Sequence, residues 1–278
     1  PEEARAGLDW ESGKADGRIY RIVRKDFIEK KYDRSAGLSS SSSIEKIISF
    51  IASAEEWERA TAHRLLLERN DPASVSSLKK IALNAAYPES RTRALWLLNS
   101  LNSLDADIIK KAMLDKISAV REQAVLLAGS NTGKYPELVQ VLVAAAGDEA
   151  IRVRFNSALV LGSLEGPGVV KALAKIAVLD GKDQWVRAAV LSGIEKRMPL
   201  FLSSLREQQG ADPIAYAAVM KDLSRLFGNG GTVADCRILL QEVLSAGGND
   251  EWRVSAILGL AEGTFGRIKE FGTSPKGM

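Results

Sequence analysis

A short string of residues recurs along the chain at an interval of about 33 residues, and this repetition limits the folds that the chain can adopt. The string consists of a bulky residue, an arginine, two variable residues and a small residue, as in residues 119–124 and 152–157. Its arginines are 32, 30, 33 and 33 residues apart, at Arg59, Arg91, Arg121, Arg154 and Arg187. The next interval, from Arg187 to Arg253, is 66 residues and predicts a degenerate copy at Tyr216. A unit of this length cannot bury its apolar residues alone, so the sequence predicts a solenoid of stacked units.

Each copy of the string predicts the start of an amphipathic helix. The third, fourth and seventh positions beyond the arginine are apolar or small, as at Ala124, Val125 and Ala128, and such positions share one side of a helix. A second apolar helix follows each first one after a turn that often contains proline, as between Pro136 and Ala145. Strand-like patterning is almost absent after residue 38. The sequence therefore predicts an all-α, right-handed α-solenoid of about seven helix pairs.

The strings resemble HEAT repeats, in which aspartate, valine and arginine occur in this order between successive helices. Asp115 with Arg121, and Asp148 with Arg154, match that pattern most closely. The resemblance implies a structural ladder across adjacent repeats, formed by Arg59, Arg91, Asp115, Arg121, Asp148, Arg154, Arg187 and Arg253. Arg59 and Arg91 have no clearly matching upstream aspartate, and Tyr216 replaces the arginine altogether.

The second helices contain six lysines that form a candidate binding surface: Lys79, Lys80, Lys110, Lys111, Lys171 and Lys175. Second helices usually line the concave face of a HEAT stack, so these lysines could form a basic stripe for an acidic protein or a phosphate backbone. The same pattern is typical of solvated lysines that keep a stack soluble, and we favour this second interpretation.

The composition narrows the available chemistry. With one cysteine and one histidine in 278 residues, the chain has no intrachain disulfide, no Cys-x-x-Cys motif and few ways to bind zinc or iron. His63 takes a position that is apolar in other copies, which predicts a packing role, and Cys236 lies in an apolar helix start, which predicts a buried, unreactive thiol. The net charge of +3 is too small to require nucleic acid as a partner. We therefore predict no cofactor and no metal.

Two further features are interpreted as structural. Tryptophans recur near the strings and are predicted to pack within the stack, at Trp57, Trp96, Trp185 and Trp252. The glycine-rich residues 228–231 lack the lysine and serine that end a phosphate-binding loop, and they predict a turn inside the degenerate repeat. The longest apolar runs are shorter than a membrane span, so no insertion into a bilayer is predicted.

Residues 1–38 differ from the rest. Gly17-Arg18-Ile19-Tyr20-Arg21-Ile22-Val23 alternates polar and apolar residues, as a strand does, and the serines at 39–43 predict a flexible link whose last member caps a helix beginning near Ile44. This strand resembles the closing strand of the β-propeller in PVC-type membrane-bound dehydrogenases, and residues 55–66 and 91–98 resemble the HEAT helices that follow it. The resemblance implies a longer periplasmic or extracytoplasmic redox protein, with a propeller upstream and a c-type cytochrome domain downstream.

Three segments are expected: an N-terminal extension over residues 1–38, a HEAT-like solenoid over 39–272 and a disordered tail over 273–278. The predicted function is that of a non-catalytic scaffold, which binds a partner protein or neighbouring domains of the same parent chain. The alternative is a nucleic-acid-binding protein of the DNA alkylation-repair glycosylase type. That alternative requires an aspartate and two tryptophans inside a clearly basic groove. A third class, lyases that act on tetrapyrroles, has no positive support in the sequence.

Overall fold

The computed structural model describes residues 37–208, 212–245 and 251–267, together with Lys25. These residues form fourteen α-helices. The helices are α1 (Ile44–Ile51), α2 (Glu56–Arg69), α3 (Val75–Asn84), α4 (Pro88–Ser100), α5 (Ala106–Ala112), α6 (Ser118–Asn131), α7 (Leu138–Ala145), α8 (Ile151–Gly162), α9 (Val169–Asp180), α10 (Gln184–Ser192), α11 (Met198–Arg206), α12 (Pro213–Gly230), α13 (Val233–Ser245) and α14 (Glu251–Thr264). No strand occurs among the described residues.

The helices alternate between two layers along the chain. Each even-numbered helix from α2 to α14 packs against the next even-numbered helix, and these seven helices form what we call the A layer. The seven odd-numbered helices pack against one another in the same way and form the B layer. Every motif arginine lies in an A-layer helix. The predicted all-α solenoid is therefore confirmed, with seven described helices in each layer.

Short polar residues and prolines determine where several helices begin. Ser43 Oγ accepts a hydrogen bond of 3.3 Å from the Lys46 amide at the start of α1, which confirms the predicted serine cap. Asp105 and Asp183 cap α5 and α10 in the same way. Pro88 begins α4, where a missing amide hydrogen costs nothing because the first turn of a helix has no acceptor for it.

The core is a continuous band of leucine, isoleucine, valine and alanine between the two layers. Ala94, Ala124 and Ala158 are fully buried at the third or fourth position beyond the motif arginines, as the repeat predicted. Small side chains at these positions allow neighbouring A-layer helices to approach closely. A glycine extends this effect where α8 and the end of α10 meet, because a Cβ on Gly193 would overlap the backbone of Gly162.

Helix α12 of the degenerate repeat and α14 of the next repeat approach each other closely through glycines. Gly259 and Gly263 in α14 face the backbone of α12, and a Cβ on Gly228 would lie 2.7 Å from the carbonyl oxygen of Leu260. The glycine-rich segment 228–231 was predicted as a turn, but α12 continues to Gly230. The helix is longer than expected because Gly228 is a packing residue against α14 rather than a turn residue.

The predicted N-terminal strand and the C-terminal tail lie outside the described residues. The described helices of the solenoid all lie within residues 38–278. The propeller remnant predicted over residues 1–38 therefore stays a prediction. Within the described residues, no helix has the length and apolar character needed to cross a bilayer.

Candidate functional site

Four of the motif arginines connect consecutive repeats through largely buried ion pairs: Arg91, Arg121, Arg154 and Arg187. Arg121 Nε and Nη2 donate to the two carboxylate oxygens of Asp148 at 2.7 and 2.9 Å. Arg154 binds Asp180 in the same bidentate way at 2.6 Å for both bonds. Bidentate pairs of this kind fix the orientation of both side chains. The Arg121–Asp148 pair joins α6 to the segment that precedes α8. The Arg154–Asp180 pair joins α8 to the end of α9.

The same arginines also bind carbonyl oxygens of the preceding segment. Arg121 Nη1 donates to the carbonyl oxygen of Asp115 at 2.8 Å, six residues upstream, and Arg187 Nη1 donates to that of Gly181 at the same distance. Arg91, Arg59 and Arg154 repeat the contact at the same sequence separation. The guanidinium group of Arg121 therefore connects its own helix, the segment before that helix and, through Asp148, the next repeat. This is the geometry of a structural ladder.

Arg91 joins this ladder, although its upstream sequence has no matching aspartate. It donates to both oxygens of Asp115 in the next repeat, at 2.7 and 2.8 Å. Arg187 donates to Asp222, a residue inside α12, at 2.7 Å. Asp180 and Asp222 were missed by the sequence motif. Asp180 lies seven residues before Arg187 instead of six, and a search that tolerated this one-residue shift would have found it.

The ends of the ladder differ from its middle. Arg59 binds Glu56 of its own helix at 2.7 Å, so its carboxylate partner is local. Arg253 donates to the carbonyl oxygen of Val243 at 2.8 Å. Tyr216, which replaces the arginine, packs edge to face against Trp252 with ring centroids 5.7 Å apart. An aromatic contact therefore occupies the place of an ion pair in the degenerate repeat.

Burial disfavours the charged form of Asp148, but the hydrogen bonds from Arg121 and the Ala150 amide outweigh this and hold the pKa of Asp148 below its usual range. The unfolded state therefore binds more protons in acid. The contribution of this pair to stability is fully present above the unfolded pKa and is lost as the pH falls through the folded pKa.

We expect Asp148→Asn to lower the free energy of unfolding by about 3 kcal/mol at pH 7, because Arg121 loses its buried partner. This difference should shrink between about pH 5 and about pH 2. Urea unfolding followed by circular dichroism at several pH values measures it. Asp107→Asn, at an exposed carboxylate, is the control and should change the free energy by less than about 0.5 kcal/mol at pH 7. A difference for Asp148→Asn that did not vary with pH would contradict the assignment.

The six predicted lysines lie in the B layer, and three of them face carboxylates. Lys79 Nζ lies 2.7 Å from Asp105, and Lys171 Nζ lies 2.8 Å from Glu207. Lys110 lies 3.7 Å from Glu137. Lys80, Lys111 and Lys175 are exposed. Three carboxylates beside six lysines reduce the local positive charge without cancelling it, and the basic binding surface stays a prediction.

The A layer contains a groove that the sequence did not indicate. It has a volume of about 720 Å³ and crosses α2, α4, α6 and α8. Its lining combines one aromatic ring with charged and small polar side chains: Glu56, His63, Pro88, Glu89, Thr92, Arg93, Trp96, Ser100, Ser118, Ala119, Glu122, Gln123 and Arg152. Grooves of this size and mixed character are typical of binding sites.

Contacts between successive repeats hold the walls of this groove. Glu56 of α2 forms an ion pair with Arg93 of α4. Trp96 Nε1 donates to Gln123 Oε1 at 3.0 Å, which joins α4 to α6. Arg152 of α8 lies 3.0 Å from Glu122 of α6. The partners are separated by roughly one repeat length, which is the only sequence signal that could have paired them.

His63 lies half-buried in the groove. Among the described residues, its Nδ1 is buried without a hydrogen-bond partner. Burial lowers the pKa of His63, and the positive charge of Arg93 lowers it further, so the imidazole is neutral near pH 7. The side chain therefore contributes a neutral, partly apolar surface to the groove wall.

The remaining candidate residues, Cys236 and the tryptophans, differ in how deeply they are buried. Cys236 is buried, its Sγ lies 3.3 Å from the carbonyl oxygen of Phe227, and burial raises the pKa of its thiol. Trp96 and Trp252 are partly buried against the core, as expected for packing residues, but Trp57 and Trp185 are exposed, at 44% and 69%. In the part of the chain that the structure describes, no cluster of three or more His, Cys, Asp or Glu side chains could hold a metal ion.

Comparison with known proteins agrees with this geometry over part of the chain. Residues 106–195 match the family model for HEAT repeats, and this range extends from the start of α5 to just beyond α10. The matched region includes Arg121, Arg154 and Arg187 with their carbonyl contacts. A comparison with curated protein sequences gives no match. Residues 106–195 are therefore similar to HEAT repeats, and they lie within an all-α solenoid.

Proposed function

We propose that this solenoid is a non-catalytic scaffold that binds a segment of a partner protein in the A-layer groove. The observation that supports this proposal is the groove itself, which crosses four helices and has an aromatic side chain among charged residues. HEAT repeats commonly form interaction surfaces, and a stack of repeats presents its side chains over a long, continuous face.

The groove is organised before a partner arrives. The ion pairs and the Trp96–Gln123 hydrogen bond connect α2, α4, α6 and α8 laterally, while Arg91 and Arg121 hold the same repeats through Asp115 and Asp148. A preformed site loses less conformational entropy when its ligand binds. Arg93 and Arg152, the two arginines of the groove lining, both form ion pairs. Paired charges of this kind suit a binding surface better than a site for proton transfer.

The charge of the groove indicates which kind of segment fits. Its lining contains three carboxylates, at Glu56, Glu89 and Glu122, and two guanidinium groups, at Arg93 and Arg152, which leaves one net negative charge with a neutral His63. Glu89 is exposed on the first turn of α4. We propose that the bound segment has an apolar side chain against Trp96 and a lysine or arginine near Glu89. A groove of this charge does not favour duplex DNA.

Random linear peptides displayed on phage provide a direct probe, with isothermal titration calorimetry on the enriched sequences. We expect enriched peptides to combine a basic residue with a nearby apolar one. Glu89→Lys should weaken their binding about fivefold, because it reverses the charge at the rim. Trp96→Ala should weaken it about 30-fold, as expected for a buried aromatic contact. Circular dichroism should show that both variants remain folded.

Glu165→Lys is the matched control, since it makes the same charge change at an exposed glutamate outside the groove lining. It should leave the affinity unchanged. The proposal fails if no peptide is enriched, or if the enriched peptides bind wild type, Glu89→Lys and Trp96→Ala equally well.

We further propose that the solenoid is one module of a longer exported redox protein. Its support is the resemblance of residues 17–23, 55–66 and 91–98 to the propeller-to-HEAT junction of PVC-type dehydrogenases. In that arrangement, the groove or the ends of the stack would bind neighbouring domains. The reading frame of the parent gene tests this directly: it should encode propeller blades upstream and a Cys-x-x-Cys-His segment downstream. A reading frame that encoded neither would refute it.

A further inference from the structure

A second groove lies between α10 and α12, and we call it the α10–α12 groove. It has a volume of about 530 Å³. Its walls combine apolar and charged side chains, among them Trp185, Arg187, Leu191, Asp222, Arg225 and Leu226. Both helices are internal to the A layer, because α8 packs against α10 and α14 packs against α12. The groove therefore does not lie at an end of the described solenoid.

The aromatic ring of the α10–α12 groove belongs to Trp185, two residues before Arg187. In the A-layer groove the ring is that of Trp96, five residues beyond Arg91, and it is partly buried. The equivalent position in α10 is Ser192, whose side chain is small. Trp185 instead leaves 69% of its surface in water. Tryptophan is enriched among the residues that dominate binding energy, so this ring is a candidate anchor for a ligand.

Two arginines of this groove share the carboxylate of Asp222. Arg187 Nε donates to Oδ2 of Asp222 at 2.7 Å, and Arg225 Nη2 donates to Oδ1 at 3.3 Å. In earlier repeats one arginine binds both oxygens through Nε and Nη2, as Arg121 and Arg154 do. Here Arg225 has taken the second oxygen, and Arg187 Nη2 makes no hydrogen bond to the described residues. The cluster therefore has one net positive charge and unused N–H donors.

Arg225 is the accessible member of the cluster. Its side chain is 49% exposed, whereas those of Arg187 and Asp222 are 16% and 20% exposed. A guanidinium group has five N–H donors in a planar fork, so Arg225 can keep its bond to Asp222 and bind a second carboxylate as well. A second carboxylate would balance the two guanidinium groups. The charge of the groove therefore favours an acidic ligand.

We propose that the α10–α12 groove binds an acidic segment of a partner protein, in which an apolar side chain packs on Trp185 and a nearby aspartate or glutamate pairs with Arg225. Leu191 and Leu226 add apolar surface to the walls. A phosphate backbone is a poorer match, because one net positive charge neutralises few phosphates and Asp222 repels them. The ligand has the opposite charge to the segment proposed for the A-layer groove, so the two sites are independent.

An array of short synthetic peptides, in which the spacing between a pair of glutamates and a leucine or phenylalanine varies, tests the site on the full chain. Fluorescence anisotropy of the tightest peptide, labelled with fluorescein, measures the dissociation constant. Trp185→Ala should raise it about 30-fold, because the anchoring ring is lost. Arg225→Gln should raise it about tenfold, and so should glutamine in place of the peptide's glutamates, because each change removes the charge-assisted pair.

Trp57→Ala and Arg206→Gln are the matched controls. Trp57 has the same position relative to Arg59 that Trp185 has relative to Arg187. Arg206 of α11 is an exposed arginine that, like Arg225, forms an ion pair with a carboxylate. Neither control residue lines the α10–α12 groove, so both substitutions should leave the dissociation constant unchanged. Substitutions in the A-layer groove should also leave it unchanged, which separates a failure of this site from a failure of the other.

Fluorine NMR of the chain labelled with 5-fluorotryptophan gives a second readout in the wild type itself. The signal that disappears in Trp185→Phe belongs to Trp185, and it should shift when the acidic peptide is added, while the other tryptophan signals stay in place. The proposal is overturned if no acidic peptide binds, or if wild type, Trp185→Ala and Arg225→Gln bind the peptide equally well. Single-stranded oligonucleotides that bound more tightly, with the same dependence on Trp185 and Arg225, would also overturn it, because the site would then select a phosphate backbone.

Discussion

Replacing Arg121 with leucine should lower the free energy of unfolding by about 3–5 kcal/mol, which is a large part of the stability of a typical domain. The Arg121 side chain is only 8% exposed and binds both oxygens of Asp148 and the carbonyl oxygen of Asp115. Its removal leaves a nearly buried carboxylate without its main partner. It also leaves the Asp115 carbonyl oxygen without the hydrogen bond that Arg121 Nη1 donates, so three backbone segments lose their shared contact.

Urea unfolding followed by far-ultraviolet circular dichroism measures this effect. Arg152→Leu is the matched control, because the same residue types are exchanged at a side chain that is 79% exposed. It should cost less than about 1 kcal/mol, as surface ion pairs usually do. The double variant Arg121→Leu with Asp148→Leu should recover part of the loss, because it removes the unpaired charge. If Arg121→Leu and Arg152→Leu were equally stable, the ladder would not be a main source of stability.

Replacing Gly259 with leucine should detach α14 from α12, with a local cost of about 3 kcal/mol or more. A Cβ at this position would overlap the carbonyl oxygen of Lys221, which is backbone and cannot move away as a side chain could. Gly263 faces the backbone of Arg225 in the same way, so the helices cannot shift along one another to relieve the overlap. Hydrogen exchange should show faster exchange of amides in α14 and in the second half of α12, while α4 to α8 remain protected.

Gly230→Ala is the control for this prediction. Gly230 is the last residue of α12, and a Cβ there would meet no atom within 4 Å. Alanine should be neutral or should stabilise the helix by a few tenths of a kcal/mol, because it restricts the unfolded chain more than glycine does. Unchanged exchange in α14 of Gly259→Leu would show that the close approach of α12 and α14 is not required for their packing.

The sequence by itself determined the architecture. The interval of about 33 residues, with apolar positions three, four and seven beyond each arginine, specified the A-layer helices and their buried faces. Ser43 marked the start of α1, which lies where it was expected. These features are readable because they depend on neighbours within a few residues along the chain. Helix periodicity and capping are local properties.

Only the tertiary structure decided which residues meet across repeats. The arginine-to-aspartate separation varies from 24 residues for Arg91 and Asp115 to 35 for Arg187 and Asp222, so no fixed spacing predicts the partners. The A-layer groove around Trp96 and the α10–α12 groove also depend on the offset between stacked helices. That offset is set by loop lengths and by how closely small residues let two backbones approach. A repeat in the sequence specifies that units stack, whereas the packing between units decides which surfaces they bury and which they present.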